Sequence, residues 1–201
     1  MRVELLVVGA HNGEKLRNVI LEEASKGLVI LVEPVPYLFS ELSNSFGSVP
    51  NVTCLDRCIA PQSGKVKFYA VDQAGRPVCP WADQLGSMDG KHAITHIKEL
   101  APHVTEMDVD AISFIELVEQ FQIDAISTLI IDTEGYDAKL LPLFPFTLVR
   151  PEKIIFEHKH SDGTYNIGRN LGRLLIALDE LGYNISVLDI ENCMATKRQP
   201  S

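Results

Sequence analysis

Val3-Glu4-Leu5-Leu6-Val7-Val8-Gly9, followed one helix later by Leu28-Val29-Ile30-Leu31-Val32-Glu33, decides how this chain folds. Each is a short apolar run, too brief for a helix, and each reads as a strand buried on both faces. Between them, residues 14–26 space Leu16, Val19, Ile20 and Ala24 along one helical face, and Gly27 supplies the stop. A strand, a helix and a second strand within about 30 residues form a parallel pair joined by a right-handed crossover.

The same rhythm continues outward. Residues 36–46 read as a helix with Pro36 in its first turn, and residues 51–55 as a third strand. Residues 65–70 read as a strand beyond a turn at Gly64. Ser113 and Glu116 form a capping box ahead of a helix that carries Phe114, Leu117, Val118 and Phe121 on one face. Residues 125–132 run apolar into a carboxylate, a short helix ends near Pro142 and Pro145, and residues 153–157 make the next strand. Leu171, Leu174, Leu175 and Leu178 mark the last long helix, stopped by Gly182. The final strand, residues 183–189, alternates apolar and polar side chains, as an edge strand or one with a solvated face does.

This alternation predicts an α/β fold, a doubly wound Rossmann-like sheet in a single domain over residues 1–201. Residues 71–103 break the pattern. They hold Gly75, Pro77, Pro80, Gly86, Gly90, Pro102 and the one tryptophan, Trp81, with no sustained period. An irregular stretch of that length is expected to be a functional loop or lid over a substrate.

Composition narrows the function. The 27 acidic residues against 18 basic ones give a net charge of −9, and no basic block offers a footprint for nucleic acid. The longest apolar runs fall far short of the ~20 residues that span a bilayer, so no membrane is expected. The chain enters a strand at once without a leader pattern, which points to a cytoplasmic location. Cys54, Cys58, Cys79 and Cys193 have no CxxC spacing, so reduced structural thiols are expected and no metal site.

Three strand ends carry the chemistry. Gly9-Ala10-His11-Asn12-Gly13 follows the first strand, where glycines let a ligand approach the backbone and a helix N-terminus favours an anion. The loop is not GxGxxG, because His11 holds the middle glycine's place. Glu33 ends the second strand, where a carboxylate accepts both hydroxyls of a ribose. Together these specify an adenosine-type cofactor, either NAD or S-adenosylmethionine. The strand at 125–132 ends in Asp132-Thr133-Glu134-Gly135-Tyr136-Asp137, where three carboxylates crowd one crevice unless something positive binds or one of them caps the next helix. The next strand ends in Phe156-Glu157-His158-Lys159-His160, with histidines suited to proton transfer near neutral pH; HxH spacing also serves metals, and surface histidines are common.

GAHNG after the first strand, VEPVPYLFSEL around the second, WADQLGSMD, and LIIDTEGYDAKLL together resemble the FkbM-type methyltransferase family, from about residue 5 to about residue 160. The D-x-E-G-x-(D/E) and V-E-P-x-P segments carry most of that likeness. The resemblance implies a class I methyltransferase fold, with S-adenosylmethionine donating a methyl group to a hydroxyl of a small molecule, often a sugar or natural product. In that reading Gly9, His11 and Gly13 hold the methionine end of the cofactor and Glu33 its ribose, with Asp132 beside them. His158 is the general base, and Asp132 or Glu134 orients it or the acceptor hydroxyl. Two other readings remain: a non-catalytic cofactor-binding or interaction domain, and an NAD-dependent oxidoreductase. The latter is disfavoured by the lack of GxGxxG and of a Tyr-x-x-x-Lys pair, since Leu140 follows Tyr136 at that spacing.

Overall fold

The computed structural model describes residues 1–161 and 166–199. In chain order its elements are β1 (Arg2–Val8), α1 (Arg17–Ala24), β2 (Leu28–Val32), α2 (Pro36–Phe46), β3 (Val52–Leu55), β4 (Cys58–Ile59), β5 (Gly64–Val71), α3 (His92–His96), β6 (Val104–Ile112), α4 (Phe114–Gln120), β7 (Ala125–Ile131), α5 (Asp137–Leu140), β8 (Lys153–Glu157), α6 (Arg169–Glu180), β9 (Tyr183–Val187) and β10 (Asn192–Lys197).

Seven strands form the main sheet in the order β3-β2-β1-β7-β8-β10-β9. The strands from β3 to β8 run parallel, and β10 lies antiparallel between β8 and β9. The central strands β1, β2 and β7 are largely apolar because helices cover both faces. On one face Leu6, Val8, Ile30, Leu129, Ile131 and Phe156 meet Phe114 and Leu117 of α4 and Leu174 and Leu178 of α6. On the other, Leu5, Val7, Val29 and Leu31 meet Ile20 of α1 and Leu42 and Phe46 of α2. A small second sheet, β4-β6-β5, stands beside it. Among the described residues no helix is long and apolar enough to cross a membrane.

Three elements differ from expectation. The helix expected over 14–26 is a 3₁₀ turn, Glu14–Leu16, followed by α1, and Val19 is exposed while Ile20 and Ala24 are buried. Strand β6 carries no apolar run, because Glu106, Asp108 and Asp110 point to solvent and pair across the ladder with Lys67 and Lys65 at 2.9–3.1 Å. Strand β10 is polar in sequence, and its pairing on both sides makes it a strand. The chain therefore finishes its sheet with a hairpin, with β9 as the edge.

Residues 72–103 are the connection of the β5–β6 hairpin. Val71 pairs with Val104, and the amide of Asp72 donates to the carbonyl of His103 at 2.8 Å, so the two ends of the segment are joined. Inside it lie 3₁₀ turns and the five-residue helix α3.

Candidate active site

The sheet order reverses between β1 and β7, which opens a crevice beyond the carboxyl ends of the strands. Val8 pairs with Val32 on one side and with Ile131 on the other, and Ile131 pairs with Phe156. Gly9, Glu33, Asp132 and Glu157 therefore leave the sheet at one level, in a row. Their side chains and loops border two adjoining chambers.

The first chamber spans the ends of β1, β2 and β7. Its walls are largely apolar, with Val8, Ala10, Val32, Leu38, Ile59 and Phe68 among them, and His11, Glu33, Asp132 and Glu134 at its edges. It encloses about 950 Å³, part of it open to solvent.

The glycines of the first loop serve packing first. Gly9 has φ 82°, and a Cβ there would stand 1.9 Å from the carbonyl oxygen of Asp132, so the close approach of β1 and β7 excludes any side chain. Gly13 has φ 78°, and a Cβ would meet the Phe46 ring at 2.4 Å. His11 also adopts a left-handed conformation, at φ 52°. Its Nδ1 lies 3.1 Å from Asn12 Oδ1, and its Nε2 faces Asp83 Oδ1 at 3.3 Å without hydrogen-bond alignment.

Glu33 is buried, and its carboxylate ties the loop to β2. Oε2 accepts from the amide of His11 at 2.9 Å and Oε1 from the amide of Val35 at 2.8 Å. Burial outweighs those two bonds and pushes its pKa up to about 7. Each oxygen keeps lone-pair capacity toward the chamber, since an ionised carboxylate has about four acceptor sites.

The second chamber adjoins the first and is polar. Lys15, Gln84, Asp132 and Glu134 line both. Trp81, His96, Glu157, Lys159 and His160 complete much of its wall. Asp132 keeps solvent contact yet stands inside the cleft, where desolvation raises its pKa against the pull of Lys15. Glu134, at φ 51°, is raised well above the ordinary carboxylate range by desolvation and by the charges of Asp132 and Glu157. Glu157 is pushed to about 8 by desolvation, with Asp137 and Asp132 adding repulsion.

Asp137 is fully buried and takes a different part from the other carboxylates of its motif. It accepts from the amide and hydroxyl of Thr133 at 3.2 and 2.9 Å and from the amide of Glu157 at 3.2 Å, which locks the β7 loop to the end of β8.

The two histidines after β8 part company. The strand stops at Glu157, and a turn follows rather than further alternation. His158 lines neither chamber; its Nε2 lies 3.4 Å from the carbonyl oxygen of Asp189 in the β9–β10 hairpin. His160 is buried in the polar chamber with its Nε2 3.5 Å from Glu157 Oε1. Its ring stands 5.0 Å from that of His96, which stands 4.7 Å from that of His92. Burial lowers His160 and His92 to about 4, and lowers His96 as well.

Residues 72–103 roof the first chamber through side chains. Arg76 grips both oxygens of Glu41 on α2 at 2.7 and 2.9 Å and donates to Asp83 at 2.6 Å. Lys15 donates to Gln84 at 2.6 Å. Reading the sequence overlooked Lys15, Trp81, His96 and Glu157 as site residues. Only the β7–β8 register, which sets Glu157 level with Asp132, picks it out, and that register is not written in a local pattern.

The Methyltransferase FkbM domain model matches residues 8–185. A search of curated proteins found no match. Among solved structures, an FkbM methyltransferase from Methylobacillus flagellatus KT is 13% identical at a TM-score of 0.54, covering 98% of this chain and 44% of that one. The methyltransferase domain of bacterial CtHen1-C is 12% identical at a TM-score of 0.50, covering 98% of this chain and 90% of that one. These likenesses establish the class I methyltransferase fold. The chain spans less than half the length of the Methylobacillus protein.

Proposed function

The chain belongs to the FkbM methyltransferase domain family, and on that footing we propose that it is an S-adenosylmethionine-dependent O-methyltransferase acting on a hydroxyl of a small molecule, a sugar or natural product. The observation that carries this reading is the pair of chambers, one apolar and one polar, that meet at Asp132 and Glu134 on the sheet's reversal point. A two-substrate transfer needs such a junction.

The residues present suit the cofactor. An apolar slot edged by a strand-end carboxylate fits a flat base carrying a diol, and Glu33 offers acceptors to the ribose hydroxyls. Gly9, His11 and Gly13 would hold the methionine end, with Asp132 at the boundary. S-adenosylmethionine, when bound, supplies an activated methyl group. The chain's own work is then to hold an acceptor hydroxyl at the junction and to receive its proton, because alignment carries much of the rate of such a transfer.

His158 was the base expected from sequence, and His160 is the better candidate, since it shares the polar chamber with Asp132 and Glu134. Burial keeps this imidazole in its neutral, proton-accepting form, and the carboxylates can orient the hydroxyl. The acidic walls also argue against nucleic acid as the acceptor.

A melting scan tests the cofactor. S-adenosylmethionine or S-adenosylhomocysteine at ~100 times its dissociation constant should stabilise the fold by about 2.7 kcal/mol. Stabilisation by NAD alone would overturn the reading. A mass-spectrometric screen for the gain of one methyl group then identifies the acceptor.

A further inference from the structure

The polar chamber holds more carboxylates than its cations can offset. Lys159 is paired with Glu191 at 2.5 Å. Among the described residues lining the chamber, Asp132, Glu134 and Glu157 are then left facing Lys15, whose Nζ also donates to Gln84. The cations are outnumbered three to one. The methyl donor of the proposed reaction brings one positive charge, which offsets one of the excess carboxylates and leaves another.

A second observation marks where a further cation belongs. Glu157 is 7% exposed, and its Oε2 is a buried oxygen with no hydrogen-bond partner among the described residues, in a side chain that lines this chamber. Buried acceptors are nearly always satisfied, so an orphan at a chamber wall points to a donor that arrives with the ligand. Burial and mutual repulsion hold Glu134 and Glu157 above their ordinary range, as expected of carboxylates with no counter-charge beside them. Trp81 also lines this chamber, and an indole ring favours both a sugar ring and an ammonium group.

We infer that the acceptor is an amino sugar, which carries a protonated amine beside the hydroxyl that is methylated, with Glu157 and Glu134 as the groups that hold the ammonium. This rests on the methyltransferase reading and names its substrate class. A neutral sugar could satisfy the hydrogen bonds and would leave the charge uncompensated. An anionic acceptor would add to it.

Trp81 is the one tryptophan in the chain, so intrinsic fluorescence reads this chamber. The full chain, alone and saturated with S-adenosylhomocysteine, is titrated with D-glucosamine, D-glucose and N-acetyl-D-glucosamine. The three share a ring, and only the first is charged. Glucosamine is expected to bind about 10-fold tighter or better, in keeping with charge-assisted hydrogen bonding. Glu157→Gln and Glu134→Gln, each confirmed folded by circular dichroism, should both erase that preference. Equal binding of the three sugars, no response to glucosamine, or a preference that survives both substitutions overturns the inference. Calorimetry with S-adenosylhomocysteine on the same protein tests the methyltransferase reading apart from it. Cofactor affinity without an amine preference sinks the amino-sugar acceptor alone.

Discussion

Oε1 of Glu157 lies 3.5 Å from Nε2 of His160, and both side chains are buried at the end of β8. The pair sets an imidazole and a carboxylate side by side in the polar chamber, while His158, two residues earlier, turns to the β9–β10 hairpin. With an acceptor in hand, His160→Ala should lower turnover roughly 10²–10⁴-fold, the range for loss of a general base. His158→Ala should stay near wild type, and neither should change cofactor affinity much. Single-turnover rates for the two variants decide it: a larger loss in His158→Ala reverses the assignment.

Glu33 should matter to the cofactor and to the fold at once. Hydrogen bonds to a charged group are worth about 1.5–3 kcal/mol, so Glu33→Ala is expected to weaken S-adenosylmethionine binding by roughly 10- to 150-fold. Because its oxygens also hold the amides of His11 and Val35, the melting temperature should fall as well. Glu33→Asp keeps the charge at shorter reach and should lose less. Calorimetric titration beside a melting curve separates the two effects, and unchanged affinity in Glu33→Ala would reduce Glu33 to a backbone brace.

Gly9→Ala tests the closeness of β1 and β7. The new methyl group would need the space of the Asp132 carbonyl at 1.9 Å, and the φ of 82° is already hostile to a side chain. Strain and overpacking together should cost about 2–5 kcal/mol, visible in urea unfolding. A loss below ~1 kcal/mol would mean that the loop relaxes freely.

Stability should fall as pH rises from 6.5 to 8. Glu33 and Asp137 are held at about 7 and Glu157 at about 8, mainly by burial. Unfolded carboxylates titrate near 4, so the folded chain binds protons more tightly, and the stability these groups contribute is lost as pH climbs through 7 and 8. His92 and His160, lowered to about 4, act in the opposite sense, and only below the unfolded histidine value near 6.5. In the window between, the carboxylates stand alone. A loss of about 1–3 kcal/mol there corresponds to a melting temperature lower by roughly 2–10 °C at pH 8. A flat or rising profile between pH 6.5 and 8 would contradict the desolvation of these groups.

Much of the fold was legible because both sheet faces are covered. That makes the carboxyl halves of β1, β2 and β7 apolar, and makes Gly9, Glu33 and Asp132 conspicuous where the runs stop. Strand β6 hid because its outward positions are acids that answer lysines on β5, a pairing between distant residues. His158 stood out because period-two reasoning holds only while a strand lasts, and β8 ends at Glu157, so it is His160 that lines the polar chamber. Gly9 and Gly13 were noticed for a ligand's approach, whereas the nearest obstacles to a Cβ there are Asp132 and Phe46 of the chain itself.

The joined ends of residues 72–103 have an evolutionary consequence. The neck between Asp72 and His103 closes on the β5–β6 ladder and Ser87 bridges to Tyr69 of β5, so the stretches between these anchors can lengthen, shorten or change sequence without shifting the register of either strand. Loop closure grows costlier only slowly with length. Asp132 and Glu157 stay on the strand ends, whereas Trp81 and His96, which border the polar chamber, travel with the exchangeable segment. Sequence change within this one cassette would therefore reshape the wall of the polar chamber while the strand-end carboxylates beneath it stay in place.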